Sequence, residues 1–437
     1  MFWKKKPKEE KNAAPPPPPP PPPPQPQRAE ARPEVRQPPQ APRPTPQPAV
    51  APSPGGGAPA QLAAVLSRRA GPQSAPMTLE AIDAQKRALE SLLSDAAVSG
   101  AARDLANDNL EAAFTALERD ATSARSAEKW RRVGAILYGV DGPRARKAYE
   151  QAFALDQRDF WGCIFLARLR ALSQDLDGAN LAASTAIMAG RTPDERGVAF
   201  FEAALIAMGR GDFEGAVNNG AQAVDASRAA IKAGAREAVT LRDLVARLTL
   251  LADANVVREN YAAAQQHYAE ALAGARKLAA AAGAGSGLEK GVAELLEKSA
   301  SVAASARDYE YAIRFADEAV SLRRGLLATG GPPGARTALA GALNSLGEIQ
   351  RLAGLTDAAT VSLRDAHENA RQAIARDAAD HAAQRDLWLS LWRLASIGNA
   401  GVGWRDVTAA MEKAVAVGMF NPKHQHFFDE ARRRAAS

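Results

Sequence analysis

The chain has one cysteine and, past its first 77 residues, only five prolines. A lone Cys163 excludes an intramolecular disulfide, so a reduced, cytoplasmic setting is the default expectation. The five late prolines, Pro143, Pro193, Pro332, Pro333 and Pro422, leave about 360 residues nearly free of the strongest helix breaker. No apolar run approaches the ~18–20 residues that span a bilayer, so no transmembrane segment is expected. Lysines stand near the start, but no apolar stretch of ~7–15 residues follows them, so no secretory leader is expected either. Alternating β-branched runs with Asn-Gly turns are missing, which argues against sheet.

The motifs of catalysis are missing too. There is no Gly-rich phosphate loop ending in Gly-Lys-Ser/Thr, no Gly-x-Ser-x-Gly elbow and no His-Glu-x-x-His. Of five histidines only His424 and His426 are close, and residues two apart on a helix point about 200° apart, a poor metal pair. Cys163 has no histidine within a hundred residues to act as its base. The expectation is a protein that is not an enzyme, with no cofactor and no metal. A specific nucleic-acid reader is not indicated: the basic residues gather in a tail without interleaved aromatics for base stacking.

What is present divides sharply at residue 77. Residues 1–77 hold 24 of the 29 prolines, including the unbroken run Pro15 to Pro24. Such a segment cannot build a hydrogen-bonded core and is expected to be a disordered tail with polyproline II stretches. Gly55, Gly56 and Gly57 give it a joint. This tail carries +7 of a whole-chain charge of +6, which leaves the rest at −1. Phe2 and Trp3, followed by Lys4, Lys5, Lys6, Lys8 and Lys11, could make a weak peripheral contact with an anionic membrane through residues 1–11, or touch an acidic protein. The plainer reading is a solvated terminus, since Glu9 and Glu10 dilute the cluster and a short basic patch anchors weakly.

Beyond residue 77 three small-residue slots recur seven times. The first holds Gly134, Ala167, Ala204, Ala252, Ala300, Gly347 and Ala395. The second holds Ala145, Ala179, Ala216, Ala264, Ala312, Ala359 and Val407, and the third, seven residues on, Ala152, Ala186, Ala223, Ala271, Ala319, Ala366 and Ala414. Helices packed as a hairpin need small residues where their backbones approach. Second slots are separated by 34, 37, 48, 48, 47 and 48 residues. The longer period adds about 14 residues, or ~10 Å to each helix of a pair at 1.5 Å per residue. The expectation is therefore an all-α solenoid of about seven helix pairs: shorter repeats over residues 78–230, repeats of about 48 over 231–420, and a capping helix over 421–437. A partial eighth copy falls near Asn107 to Leu117 with Ala112 in the second slot. Thr192-Pro193-Asp194-Glu195 and Ser286-Gly287-Leu288-Glu289 read as capping boxes.

The first copy reads Trp130-x-x-Val133-Gly134-x-x-Leu137, then Ala145, Tyr149 and Ala152. This resembles the tetratricopeptide repeat, whose period is about 34 residues. The long-repeat part, through Ala375-Arg376-Asp377 and Gln384 to Leu391, is similar to arrays of bacterial signalling and scaffold proteins. The resemblance implies binding of a partner protein along a concave groove lined by the first helix of each pair. Mapped here, the third copy offers Val198, Phe201, Leu205 and Met208, the sixth offers Asn344, Glu348 and Arg351, and the seventh offers Trp392. The function expected is a protein–protein interaction scaffold. The rival is an accessory subunit of a membrane-associated assembly, tethered by its aromatic and polybasic start.

Overall fold

The computed structural model describes residues 58–69, 75–234, 237–283, 287–398 and 400–436. The tail up to residue 57, with Phe2, Trp3, Lys4, Lys5 and Lys6, lies outside the described residues, as do Ser286 and Asn399. Nineteen α-helices and no strand are found among the described residues. Four come first: α1 (Ala58–Ser67), α2 (Leu79–Ser94), α3 (Ser99–Ala106) and α4 (Leu110–Ala124). Seven hairpin pairs follow. They are α5 (Ala127–Leu137) with α6 (Gly142–Leu155), α7 (Phe160–Leu172) with α8 (Leu176–Ala189), and α9 (Pro193–Arg210) with α10 (Phe213–Lys232). Next come α11 (Glu237–Val257) with α12 (Tyr261–Ala282), α13 (Leu288–Ser305) with α14 (Tyr309–Ala328), and α15 (Ala335–Leu352) with α16 (Thr356–Arg376). The last pair is α17 (His381–Ile397) with α18 (Trp404–Ala416), and a 3₁₀ turn then leads into α19 (Gln425–Ala436).

Every residue of the three slots is buried. The reason for smallness is visible where glycine stands. A Cβ on Gly134 would lie 2.7 Å from the Tyr149 ring, and one on Gly347 2.6 Å from Leu363 Cγ. Tyr149 and Leu363 stand four residues past the second slot, so a large residue there seats against the first slot of its own hairpin. Ala264, Ala312 and Ala359 are each 0% exposed at such crossings. Replacing any one with leucine is expected to cost about 1–3 kcal/mol by overpacking. Thermal melting of the three variants checks this, and parent-like melting of all three would contradict the register.

The hairpins share one turn. Asp141, Asp175, Asp212, Asn260 and Asp308 each cap a second helix by accepting a hydrogen bond from the backbone N–H three residues on. Each stands four residues before its second-slot alanine, and such a cap contributes about 1 kcal/mol. In four of these turns, and again before Leu355, the preceding residue is left-handed: Gln174, Gly211, Glu259, Arg307 and Gly354 have φ between 58° and 80°. Glycine takes that conformation without steric cost. Asn109 holds the same position before α4, though without the side-chain bond, and the eighth-copy slot four residues on is Ala113, which is 0% exposed, whereas Ala112 is exposed.

Three expectations need correction. Residues 58–67 fall within the expected tail, yet they form α1, whose Leu62 and Leu66 are buried in the core that α2 also feeds. One turn of apolar residues suffices once a partner helix covers it. Second, helices lengthen at Pro193 rather than at 231: α5 to α8 have 11–14 residues and α9 to α16 have 18–22. Added turns at the open ends of a hairpin fall in the interval to the next copy, so slot spacing registers them one pair late. Third, the Thr192–Glu195 capping box forms, but α13 starts after Gly287 at φ 79° with no side-chain cap.

The 48-residue period recurs in charge. Arg228, Arg276 and Arg324 on successive second helices reach Glu270, Glu318 and Asp365 on the next, at 2.7, 2.5 and 3.0 Å. These pairs are exposed and each is worth little. They mark a uniform step from one long pair to the next.

Candidate functional site

The first helix of each pair buries one side against its second helix and turns the other away from it. That free side carries the expected partner-binding residues, and the structure treats them unequally. On α9, Leu205 is 42% exposed. Phe201 is half-buried, as is its neighbour Phe200. Val198 packs on the cluster of Phe160, Cys163 and Ile164, and Met208 packs on Ala207, Ala216 and Ala254. The four therefore do not form one open stripe.

On α15, Asn344 is 2% exposed. Its side-chain amide donates to the Asp386 main-chain carbonyl at 3.0 Å, and the Asn344 main-chain carbonyl accepts from Arg393 at 2.7 Å, so it fastens α15 to α17. Glu348 accepts both Arg351 donors at 2.9 and 2.8 Å and lies 3.4 Å from Arg393. Burial pushes the Arg393 guanidinium below its ordinary value, against the pull of Glu348 and Asp386. Trp392 on α17 is half-buried between Trp404 and Phe427, with ring centroids 4.9 and 5.0 Å away. It belongs to the seat of the terminal cap, a role its position in the repeat does not reveal.

Pairs of this kind join first helices along the chain. Arg168 on α7 holds Glu202 on α9 at 2.6 Å, and Lys298 on α13 holds Asp253 on α11 at 2.6 and 2.7 Å. Sequence reading missed them, because each joins residues 34 or 45 positions apart.

Among the clefts of the described residues, two bear on this face. The smaller, about 300 Å³, runs over α13, α15 and α17 between Glu297, Ser301, Ser345, Glu348, Leu352 and Arg393. The larger, about 780 Å³, is walled by α2, α5 and α7 and was not foreseen, because α2 lies before the repeats. Gln85 of α2 donates to the Ile136 carbonyl at 3.1 Å, and Asp95 just beyond it holds Arg132 at 2.9 Å. Arg87, Lys129, Arg131 and the half-buried Trp161 line this cleft with Glu128 and Asp159. Most of its cations are spent: Lys129 lies 2.7 Å from Asp120, and Arg131 3.5 Å from Asp156. A mixed surface of this kind suits a polar peptide better than a small apolar ligand.

Among the described residues a serine–histidine contact joins Ser390 Oγ to His367 Nδ1 at 3.3 Å. Ser390 is 0% exposed and its hydroxyl already donates to the Leu387 carbonyl, so no substrate reaches it. Cys163 is 1% exposed and burial pushes its thiol up to about 12, which makes it inert. Among the described residues no group of three or more His, Cys, Asp or Glu could hold a metal ion, and no helix is long and apolar enough to cross a membrane.

No family model matches this chain, and no curated protein does. Solved structures do. The apo form of RapI superposes with a TM-score of 0.52 at 12% identity, over 80% of this chain and 96% of that one. BtubC (BKLC) from P. vanneervenii gives 0.42 at 21% identity over 59% and 92% of the two chains. A tetratricopeptide repeat protein from Parabacteroides merdae gives 0.41 at 12% identity over 70% and 99%. The fold is a solenoid of the tetratricopeptide-repeat type.

Proposed function

We propose that this chain is a protein-interaction scaffold, without chemistry of its own, that takes a segment of a partner protein along the concave face of its first helices. The observation that carries the reading is the open cleft over α13, α15 and α17, where exposed serines and the compensated charge of Glu348 face solvent beside the exposed Leu352. Ser301, Ser305 and Ser345 can pair with a peptide backbone, and Glu348 keeps acceptor capacity beside Arg351 and Arg393. Of the residues mapped from the repeat, Leu205, Glu348 and Arg351 serve as contacts in this reading, while Val198, Met208, Asn344 and Trp392 support the surface. A cytoplasmic location is part of the proposal and rests on the sequence.

The test is capture of partners by the full chain as bait. Ser345→Trp fills the cleft and is expected to cut the yield about tenfold. Ser321→Trp, also at an exposed serine but on the second helix α14, should leave it unchanged. Equal yields from the two variants would overturn the reading.

A further inference from the structure

Besides the contacts of α2 with α5, one arginine of α7 ties the first turn of α2 to α9. Arg168 Nη1 donates to Thr78 Oγ1 at 3.2 Å, lies 3.9 Å from Glu80, and its Nε donates to Glu202 at 2.6 Å. Leu79 sits between the first two of these residues, and Phe201 is the neighbour of the third. Apolar side chains on both helices stay uncovered around this clasp: Leu79 is 63% exposed, Ile82 47% and Leu205 42%. Leu79 and Ile82 are three apart on α2, next to its buried side of Ala81, Gln85 and Ala88. Single exposed leucines are ordinary. Several within a turn of one clasp, drawn from two helices, make a surface.

The rim of this surface is acidic. Asp194 lies in the first turn of α9 and Asp243 in the early part of α11. Arg247 of α11 packs against Gly197, where a Cβ would collide with its guanidinium. Burial holds the Asp243 carboxyl above its ordinary value; Arg247 opposes this, and both Glu80 and Asp194 add to it. The contacts bring the three helices together here: Arg247 lies against Gly197 of α9 and 4.0 Å from Asp243, and Arg168 links Glu80 of α2 to Glu202 of α9. Of the arginines near these carboxylates, Arg168 is engaged on Glu202 and the 3% exposed Arg247 on Ser227 at 2.5 Å, while the exposed Arg242 beside Asp243 opposes the carboxylates there. Lys86 and Arg87 stand one to two turns further along α2.

We propose that this surface of α2 and α9 docks a basic amphipathic helix of a partner protein, its leucine-like side chains on Leu79, Ile82, Phe201 and Leu205 and its lysines or arginines against Glu80, Asp194 and Asp243. The proposal rests on the first-helix face being the partner-binding face and specifies the partner's chemistry. Apolar anchors supply affinity in such a helix-in-groove contact, and the acidic rim selects the sign of charge and speeds encounter.

The test uses the full chain and two fluorescein-labelled 14-residue peptides with leucines at helical spacing, one filled in with lysine and one with glutamate. Fluorescence anisotropy should show the lysine peptide binding at least about tenfold more tightly, less so at high salt. Leu205→Ser should weaken it about tenfold, and Asp194→Asn should reduce its salt dependence. Leu181→Ser, at a 57% exposed leucine of α8, is the control and should change nothing. Equal binding of both peptides, or equal effects of Leu205→Ser and Leu181→Ser, would overturn the proposal. Failure of the broader scaffold reading looks different: there the yields from Ser345→Trp and Ser321→Trp coincide, whatever the peptides do.

Discussion

Replacing Arg168 with methionine is expected to cost about 3–5 kcal/mol of stability. Methionine keeps most of the apolar stem and removes the charge. Glu202, 7% exposed, then stays buried without its partner at 2.6 Å. Burial disfavours the Arg168 guanidinium charge, yet the adjacent Glu202, together with Tyr138 and Glu80, offsets this and holds the arginine above its ordinary value. The same side chain clasps Thr78 and Glu80, so the first turn of α2 should loosen as well. Most of the cost is the stranded carboxylate rather than the worth of the pair. Adding Glu202→Leu should therefore recover the greater part of it. Urea unfolding of the single and double variants, with hydrogen exchange read on α7 and α9, makes the comparison. A double variant as unstable as the single one would show that the pair acts through packing instead.

Trp388→Ala is expected to release the C-terminal cap at a local cost of about 3–5 kcal/mol. Trp388 is 3% exposed and meets Phe420, His424 and Phe427 at centroid distances of 6.1, 5.4 and 5.8 Å. These rings, with Val407, Met411 and Phe428, form the core that joins α17, α18 and α19. In a stacked array each pair leans on its neighbours only, so damage should stay local. Hydrogen exchange should speed up over residues 404–436 and stay unchanged over α5 to α8. Loss of protection throughout the chain would show that the array unfolds as one unit. Trp392→Ala, at a half-buried ring of the same cluster, should cost less.

The repeats were legible because their signal is local. The first slot meets a residue of its own hairpin, as Gly134 meets Tyr149, so its size is constrained wherever the hairpin occurs. The cap four residues before the second slot was equally readable, at Asp175, Asp212 and Asn260, once one structure gave its register. The start of the ordered part was not legible. Ala58 to Ser67 has the composition of a short helix, but it adjoins proline-rich sequence and depends on α2 for cover. The binding face was half legible: position in the repeat told which side of α9, α15 and α17 turns away from its second helix, but not what else covers it.

From sequence alone this protein is an array of small-residue hairpins with a period that changes from 34 to 48 residues, because close helix crossings punish a large side chain at fixed intervals. Tertiary structure decided which of the outward positions remain available. Asn344 is sealed by Asp386, Trp392 by the cap and Glu202 by Arg168, while Leu205 and Ser345 stay open. Each sealing partner lies tens of residues away, on another hairpin or on α19, and a periodic pattern that records only contacts within a hairpin cannot encode it.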